Sequence, residues 1–543
     1  MKTRKILGFL MLVMLVSIFT TCLVWGEDKQ VKTFTLYFGG SGARPVDLFQ
    51  TKIGKKITEL TDVTMKIEYL VGSDEATKAG IMIASGDYPD LIYPHNVTHK
   101  FVEAGALIPL DDYVAKSEVV KKAYKGNLKK LRWSDGHIYF LSPYQPDAER
   151  LYASDGFWLP IDLLKENGWP MVTDIDQYFD LIRKYVKKHP SYNGKPTIGF
   201  TTQADDWRIY ILKQAGIHLA GYYNTGETII DPKDNTAHTY ALSPYTKTYL
   251  KKLNGLYLEG LFDKEAFSQN YDQYTAKIAA GRVIGFYDER WQFLDPAKAL
   301  EDQGLFGRMH VAMPVVYKGV KQNPYGGRQI LSNISGVAIS KSCKDPDAAW
   351  KFMERFLADD IQKLNYWGIE GDDYSLVNGR MVKNAAQIKM GADPDYLDKQ
   401  GLTRFQFLFP RIAWGENCKY ADGNFVSPND SPEYFAYQYK PYEKDVLKQY
   451  NKETFANFMS PPAKPLYGFV WDVPVEDGSP ERIALQKCED TSKKWLPKVV
   501  MAAKGQFEKV WSQYVAEYNK IDTKLLEKHY TTAVQQRIKD WKE

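Results

Sequence analysis

Cysteine is scarce in this chain of 543 residues, which has four cysteines and only three beyond the first 26 residues. Cys343, Cys418 and Cys488 form an odd set without metal-ligand spacing. Their small number excludes a scaffold held together by several disulfides. One pair could form a disulfide and leave one free thiol, and the sequence alone does not decide this.

An excess of one charge is also missing. The chain has 71 basic and 67 acidic residues, and Lys2, Arg4 and Lys5 supply three of the basic ones before Glu27. From Glu27 onward the balance is therefore 68 basic to 67 acidic residues, a net charge of about +1. Proteins that bind phosphate backbones usually have a basic excess, so we expect no nucleic acid partner.

The short motifs of several enzyme classes are absent. The sequence has no nucleophile elbow, no metalloprotease helix and no P-loop. His95 and His99 stand four residues apart, but no third zinc ligand accompanies them. The glycine-rich segment 39–45 continues with Ala43-Arg44, where a phosphate-binding loop needs Lys followed by Ser or Thr. We therefore expect neither a metal nor a cofactor.

The first 26 residues are typical of a targeting segment. Lys2, Arg4 and Lys5 precede an apolar run from Ile6 to about Phe19. Cleavage before Glu27 is the first interpretation, lipidation of Cys22 is the second, and an uncleaved membrane anchor is the third. No second apolar run is long enough to cross a bilayer. We expect an extracellular protein, either secreted or attached to the outer face of the membrane.

Aromatic residues, by contrast, are plentiful. They make up 14% of the chain and include 37 tyrosines and 13 tryptophans. Rings with polar tips suit surfaces that are partly apolar and partly wet, so we expect some of them at a binding surface. A chain of more than 500 residues is also too long for one hydrophobic core, which predicts two or more lobes.

The stretch from Asn323 to Arg380 has the clearest local signals. Asp345 is a good N-cap, Pro346 fits the first helical position, and apolar residues from Trp350 to Leu364 recur at helical spacing. This pattern predicts an amphipathic helix. An apolar run at 336–339 precedes it, and a second glycine-rich loop at 367–371 follows it.

These features, together with segments 84–90, 104–111 and 133–143, resemble the extracellular solute-binding proteins of carbohydrate ABC importers. The likeness is greatest to the large oligosaccharide-binding lipoproteins of Gram-positive bacteria. It implies a two-lobed α/β fold of the periplasmic-binding-protein type II class, with a hinge between the lobes and extra C-terminal helices. We expect residues 27–145 and 333–400 in the N-terminal lobe, and 146–332 and 401–543 in the C-terminal lobe.

The resemblance also implies a function and partners. The chain would be a monomeric, non-enzymatic component that captures an oligosaccharide and delivers it to membrane permease subunits, while a separate ATPase supplies the energy. Two departures qualify the match. Cys22 follows Phe19-Thr20-Thr21 instead of Leu and two small residues, which argues against a lipid anchor. The loop at 191–197, where some relatives hold calcium, has no carboxylate, so we expect no calcium there.

Residues 281–286 form a short apolar run that predicts a strand ending at Phe286, and segment 287–291 follows it as a loop. Relatives place an aromatic residue in this loop, so Trp291 is the first candidate for sugar contact. Its alternative role is packing between lobes. The other predicted ligand-binding residues are Tyr93, His95, Trp207, Arg208, Tyr287, Arg290, Tyr325, Arg328 and Trp471.

Two other functions compete with a binding protein. A secreted glycosidase needs two carboxylates on either side of one glycosidic bond, and 67 acidic residues could supply such a pair. A surface adhesion or scaffold protein would have repeats or a wall-anchoring tail, and the sequence contains neither. The resemblance favours the binding protein, with the glycosidase as the alternative.

Overall fold

The computed structural model describes residues 30–542 except for short internal segments. The segments left out are 41–44, 71–73, 134, 144–150, 224–225, 327–330, 332–334, 407, 413–417, 432–433, 435–436 and 462–463. The targeting segment, Cys22 and Arg328 therefore lie outside the described residues.

The strands fall into two main sheets and several short hairpins. In chain order they are β1 Lys32–Phe38, β2 Val63–Tyr69, β3 Leu91–Tyr93, β4 Phe140–Leu141, β5 Asp155–Pro160, β6 Ser191–Tyr192, β7 Lys195–Pro196, β8 Ile198–Thr201, β9 Thr228–Ile230, β10 Ala237–Thr239, β11 Val283–Glu289, β12 His310–Met313, β13 Val337–Ile339, β14 Ser375–Val377 and β15 Arg380–Val382.

Helices surround both sheets. In chain order they are α1 Lys52–Thr61, α2 Glu75–Ser85, α3 Thr98–Glu103, α4 Asp111–Lys116, α5 Glu118–Tyr124, α6 Ile161–Glu166, α7 Ile175–Lys188, α8 Tyr210–Leu219, α9 Pro244–Leu258, α10 Tyr271–Ala279, α11 Leu294–Asp302, α12 Pro346–Phe356, α13 Asp359–Tyr366, α14 Ala385–Met390, α15 Pro394–Gln400, α16 Pro441–Tyr450, α17 Pro480–Val500, α18 Phe507–Tyr518 and α19 Thr523–Trp541. None of these described helices is long and apolar enough to span a bilayer.

The first sheet has the strand order β2-β1-β3-β13-β4. Strands β1, β2 and β3 are parallel, whereas β13 runs antiparallel to both β3 and β4. The carboxyl ends of the parallel strands therefore share an edge with the start of β13 and the end of β4. Strands β13 and β4 approach closely there, since a Cβ atom on Gly336 would lie 2.3 Å from the Leu141 carbonyl oxygen.

The second sheet has the order β12-β5-β11-β8. Strands β8 and β11 are parallel, and β5 runs antiparallel to its neighbours β11 and β12. The start of β5 consequently lies at the carboxyl edge of β8, β11 and β12. Chain segments that enter β5 and leave β11 meet at this edge.

Each sheet has its own hydrophobic core. One core contains residues from 34 to 141 and from 331 to 409, and its packed rings include Phe49, Phe352 and Phe409. The other contains residues from 151 to 325 and from 439 to 534, including α17, α18 and α19. Burial of apolar side chains in two separate places follows from the length of the chain.

The predicted helix after Asp345 is present but shorter than expected. The Asp345 carboxylate accepts a hydrogen bond from the Ala348 amide, and Pro346 begins α12. The apolar spacing continues to Leu364, yet α12 ends at Phe356 and α13 begins at Asp359. Both helices bury the predicted apolar face, so the break leaves the amphipathic pattern intact.

Candidate functional site

The carboxyl edge of the second sheet brings together two of the predicted segments. After β8 the chain forms a 3-10 turn at Asp206–Ile209, and after β11 it forms another at Arg290–Phe293. Because β8 and β11 are parallel neighbours, both turns emerge at the same edge. Open α/β sheets bind ligands at such carboxyl edges.

Three aromatic rings lie nearly parallel across these turns. Trp207 stacks on Tyr210 with ring centroids 5.6 Å apart and an interplanar angle of 5°. Trp207 also stacks on Trp291 at 6.0 Å and 10°. Trp207 is 49% exposed and Trp291 is 51% exposed, which is unusual for such large apolar side chains. We call Tyr210, Trp207 and Trp291 the aromatic platform.

Two predicted arginines lie on the same two turns and contact aromatic rings. The Arg208 guanidinium lies 4.7 Å from the Trp207 ring centroid and 4.1 Å from that of Tyr271. The Arg290 guanidinium lies 3.7 Å from the Tyr152 ring centroid. These are cation–π distances, and they fix both charged groups beside the rings. The structure thus places Arg208 against the platform ring of Trp207, whereas the Arg290 side chain lies against Tyr152 and near Glu443.

Acidic groups lie directly beneath this surface. The Glu289 carboxylate accepts a hydrogen bond from the Trp291 indole. Asp288 is fully buried and accepts hydrogen bonds from the Tyr274 hydroxyl at 2.7 Å and the Gln292 amide at 2.9 Å. Burial raises the pKa of Asp288 to about 8, although the bond from Tyr274 acts in the opposite direction.

Tyr287 corrects one prediction. The sequence suggested that the strand ends at Phe286 and that Tyr287 lies in the loop, but β11 continues to Glu289. Tyr287 pairs with Phe157 of β5 and is 1% exposed. Its hydroxyl lies 3.0 Å from the Asp155 carboxylate and 2.6 Å from His218 Nδ1. A ring enclosed in this way packs the sheet and offers no face to a ligand in this structure.

Tyr325 and Tyr93 need the same correction. Tyr325 is fully buried, and its hydroxyl donates a hydrogen bond to the Val315 carbonyl at 2.6 Å. Tyr93 is the last residue of β3, is also fully buried, and has its ring centroid 4.8 Å from that of Phe38. Both rings therefore lie in the core beneath the edges where ligand contact was predicted.

His95 lies just beyond the end of β3, as predicted. Its Nδ1 atom is 2.9 Å from the Glu75 carboxylate, and its backbone N–H donates to the Ser335 hydroxyl at 2.8 Å. The side chain is 24% exposed. His95 therefore lies at the carboxyl edge of the first sheet, beside the start of β13.

Trp471 lies away from the aromatic platform, in a 3-10 turn at Val470–Asp472. It is 43% exposed, its ring centroid is 5.0 Å from that of Phe469, and its neighbours include Gly226. No described contact joins it to the aromatic platform. Arg328 lies outside the described residues, so its predicted role stays a prediction.

Sequence reasoning missed Tyr210, Glu289, Tyr152 and Tyr271. Tyr210 had a usable signal, since it follows Trp207 by three residues and such spacing aligns side chains on one helical face. Tyr152 and Tyr271 had none, because only the fold brings them to the arginines. The assembled edge offers flat aromatic faces beside charged and hydrogen-bonding groups, which suits a ligand with apolar faces and polar rims.

Comparisons with known proteins identify the family and the fold. A family model described as bacterial extracellular solute-binding protein matches residues 41–363, more than half of the chain. The fructooligosaccharide ABC transporter substrate-binding protein FusA of Streptococcus pneumoniae serotype 4 is 25% identical over 231 residues, which are 38% of this chain and 40% of FusA. Lipoprotein LipO of Bacillus subtilis is 21% identical over 378 residues, which are 66% of this chain and 70% of LipO.

Among solved structures, that of S. pneumoniae FusA in complex with kestose has a TM-score of 0.66 and 18% identity. The match covers 93% of this chain and 99% of that one. The predicted two-lobed α/β fold is confirmed.

Proposed function

The chain belongs to the bacterial extracellular solute-binding protein family, and we propose that it is the substrate-binding component of an ABC importer for an oligosaccharide. The protein captures the sugar between two lobes and delivers it to permease subunits in the membrane. A separate ATPase supplies the energy, and this chain catalyses no reaction. It acts as a monomer outside the cell, either secreted or attached to the membrane surface.

The observation that carries this proposal is the exposed aromatic platform at the carboxyl edge of the second sheet. Trp207 and Trp291 are about half exposed, and contact with a ligand or partner would remove this apolar surface from water, which is favourable. Sugar rings have apolar faces that stack on indoles and hydroxyls that bond to carboxylates and guanidinium groups. The platform provides the rings, and Arg208 and Glu289 beside it provide a guanidinium and a carboxylate group.

The lobes and the ligand contacts are part of the proposal. We assign residues 27–145 and 333–400 to the N-terminal lobe, and 146–332 and 401–543 to the C-terminal lobe. The two separate cores support two lobes, but Leu402, Phe405, Leu408 and Phe409 pack in the core of the first sheet, so the last boundary moves to a point after residue 409. Trp291, Trp207, Arg208 and Arg290 contact the sugar from the C-terminal lobe.

His95 contributes from the N-terminal lobe. The two positions that the structure leaves open, Arg328 and Trp471, stay in the set of candidate contacts. Closure of the lobes on the sugar would then create the form that the permease recognises.

The name of one relative supports the ligand class. FusA is described as a fructooligosaccharide-binding component and has been solved with kestose. The alternative, a secreted glycosidase, is not favoured, because the matching family and its relatives are binding proteins and two carboxylates beside the platform are already engaged. Asp288 is buried, and Glu289 is bonded to Trp291. A glycosidase needs two carboxylates that face the scissile bond.

The direct test is a thermal-shift screen of the protein from Glu27 onward against plant, fungal and host oligosaccharides, with chromatography of each sugar afterwards. We expect at least one sugar to raise the melting temperature and to be recovered intact, since a ligand that binds only the folded state stabilises it. A sugar recovered in cleaved form would support the glycosidase instead. No shift with any oligosaccharide would contradict the proposal.

A further inference from the structure

The aromatic platform is assembled from two separate chain segments. Trp207 and Tyr210 belong to the segment after β8, whereas Trp291 belongs to the turn after β11. Side chains on separate segments keep a common orientation only if something joins them. Stacking alone is a weak restraint on half-exposed rings, because aromatic pairs contribute little beyond the area they bury.

Glu289 joins the two segments. Its carboxylate accepts a hydrogen bond from the indole N–H of Trp291. The same side chain lies near the hydroxyl of Tyr210, whose pKa is raised first by burial and then by nearby carboxylates that include Glu289. The Glu289 carboxylate thus bonds to one outer ring of the platform and lies near the hydroxyl of the other, with Trp207 stacked between the two rings.

Neighbouring groups keep Tyr210 in place from the other side. The Gln292 amide donates a hydrogen bond to the Tyr210 hydroxyl at 3.1 Å and another to Asp288 at 2.9 Å. The Tyr271 hydroxyl donates to the Gln292 carbonyl. Gln292 is itself buried, so this arm of the network is anchored in the core. On the opposite side, Trp291 has Glu289 as its described hydrogen-bond partner.

We propose that Glu289 is a positioning residue that sets the angle and spacing of the platform before the sugar arrives. This inference rests on the proposed function and adds to it the residue that pre-organises the sugar-stacking surface. A ring that is already oriented loses less conformational entropy on binding. Glu289 therefore increases affinity through Tyr210 and Trp291, without needing to touch the sugar.

The test compares Glu289→Ala with Glu289→Gln and with Asp295→Ala. Asp295 is an exposed carboxylate in the first turn of α11, so its removal changes the charge equally and leaves the rings untouched. Each protein is titrated calorimetrically with the oligosaccharide that gives the largest thermal shift. Near-UV circular dichroism of the unliganded proteins reports the coupling between the stacked indoles.

We expect Glu289→Ala to weaken binding about three- to tenfold, the range that corresponds to immobilising one or two rotamers, and to change the near-UV spectrum. Glu289→Gln should restore most of both, because its carboxamide can accept from the indole and donate to the tyrosine. Asp295→Ala should match the wild type in affinity and spectrum.

Two results would overturn the inference while the proposed function stands. One is wild-type affinity and spectrum in Glu289→Ala. The other is a loss of affinity that follows the loss of melting temperature and is not rescued by Gln, which would indicate a general structural role. A wild-type protein that binds none of the oligosaccharides would overturn the proposed function and this inference with it.

Discussion

The carboxyl edges of the two sheets use their aromatic residues in opposite ways. At the first edge, the rings of Phe38, Tyr69 and Tyr93 pack on one another, with Phe38 centred 5.9 Å from Tyr69 and 4.8 Å from Tyr93. At the second edge, Trp207 and Trp291 stack on each other but remain about half exposed. At the first edge the rings pack on one another, whereas at the second edge the two indole rings are about half exposed to solvent.

From this difference we infer a separate role in sugar binding for each edge. A displayed aromatic face can hold a sugar ring before any closure takes place, so we assign initial capture to the second edge. The first edge presents His95 and Glu75, which are polar and joined to each other. Such groups can bond to hydroxyls once the lobes approach. Affinity should therefore depend more on the second edge than on the first.

The largest expected effect comes from removing the displayed rings. Trp291→Ala should weaken oligosaccharide binding at least about tenfold, or about 1.4 kcal/mol. Trp207→Ala should act similarly, and the double variant should lose less than the product of both because the rings stack on each other. Isothermal titration calorimetry measures this. Tyr437→Ala, at an exposed ring outside the platform, is the control. An equal loss of affinity in this control would contradict a specific role of the platform rings in sugar binding.

A second test concerns the buried acid beneath the displayed rings. The pKa of Asp288 is raised to about 8 in the folded protein from an ordinary value of 3.8. The folded state therefore holds a proton that the unfolded state releases, and wild-type stability should fall as the pH rises from about 4 to about 8. Asp288→Asn imitates the protonated acid and lacks this dependence.

Chemical denaturation at several pH values measures this difference. The stability of Asp288→Asn relative to the wild type should increase between pH 5 and pH 8 and then level off. A shift of one pKa unit corresponds to about 1.4 kcal/mol. Identical pH profiles for the two proteins would contradict a proton on Asp288. A matching carboxamide substitution at the exposed Asp295 should leave the profile unchanged.

A smaller effect is expected from the guanidinium that lies against Trp207. Arg208→Met keeps much of the apolar stem and removes the charge over the Trp207 and Tyr271 rings. We expect an affinity loss of about threefold, in keeping with a cation–π contact at a partly exposed site. Titration calorimetry is again suitable, with Lys298→Met on the exposed face of α11 as the control. An unchanged affinity would mean that the Arg208 charge contributes nothing to sugar binding at the second edge.

The smallest effect should come from the first edge. His95 has a positive φ of 55°, so Asn is the suitable replacement because it tolerates this backbone conformation. His95→Asn removes the contact with Glu75 and should weaken binding about twofold, a loss within the range of one modest hydrogen bond. A loss as large as that of Trp291→Ala would reverse the comparison between the edges.

Much of the fold was predictable from local patterns. Residues 34–38 alternate in the way typical of a strand and lie within β1, and the helix-like pattern from Glu75 to Ala84 corresponds to α2 with one more residue. Alternation and capping depend on neighbouring residues, so the sequence alone reveals them. The break between α12 and α13 has no comparable signal, since the apolar spacing passes through it.

The site was harder to predict, because strand ends decide which side chains are exposed. Trp291 was correctly placed after its strand, yet β11 ends three residues later than expected and buries Tyr287. The extra pairing comes from β5, which is more than a hundred residues away in the sequence. The stacking of Trp207 on Trp291 also depends on the pairing of β8 with β11, which no local pattern reveals.

The most direct test of this account is a crystal structure of the protein with the oligosaccharide that stabilises it most. We predict a sugar ring against the exposed face of Trp291 or Trp207, with Glu289 still bonded to Trp291 and His95 nearer to the ligand than in the open form. A sugar bound elsewhere, with both indoles still in water, would contradict the central claim that the second edge captures the ligand.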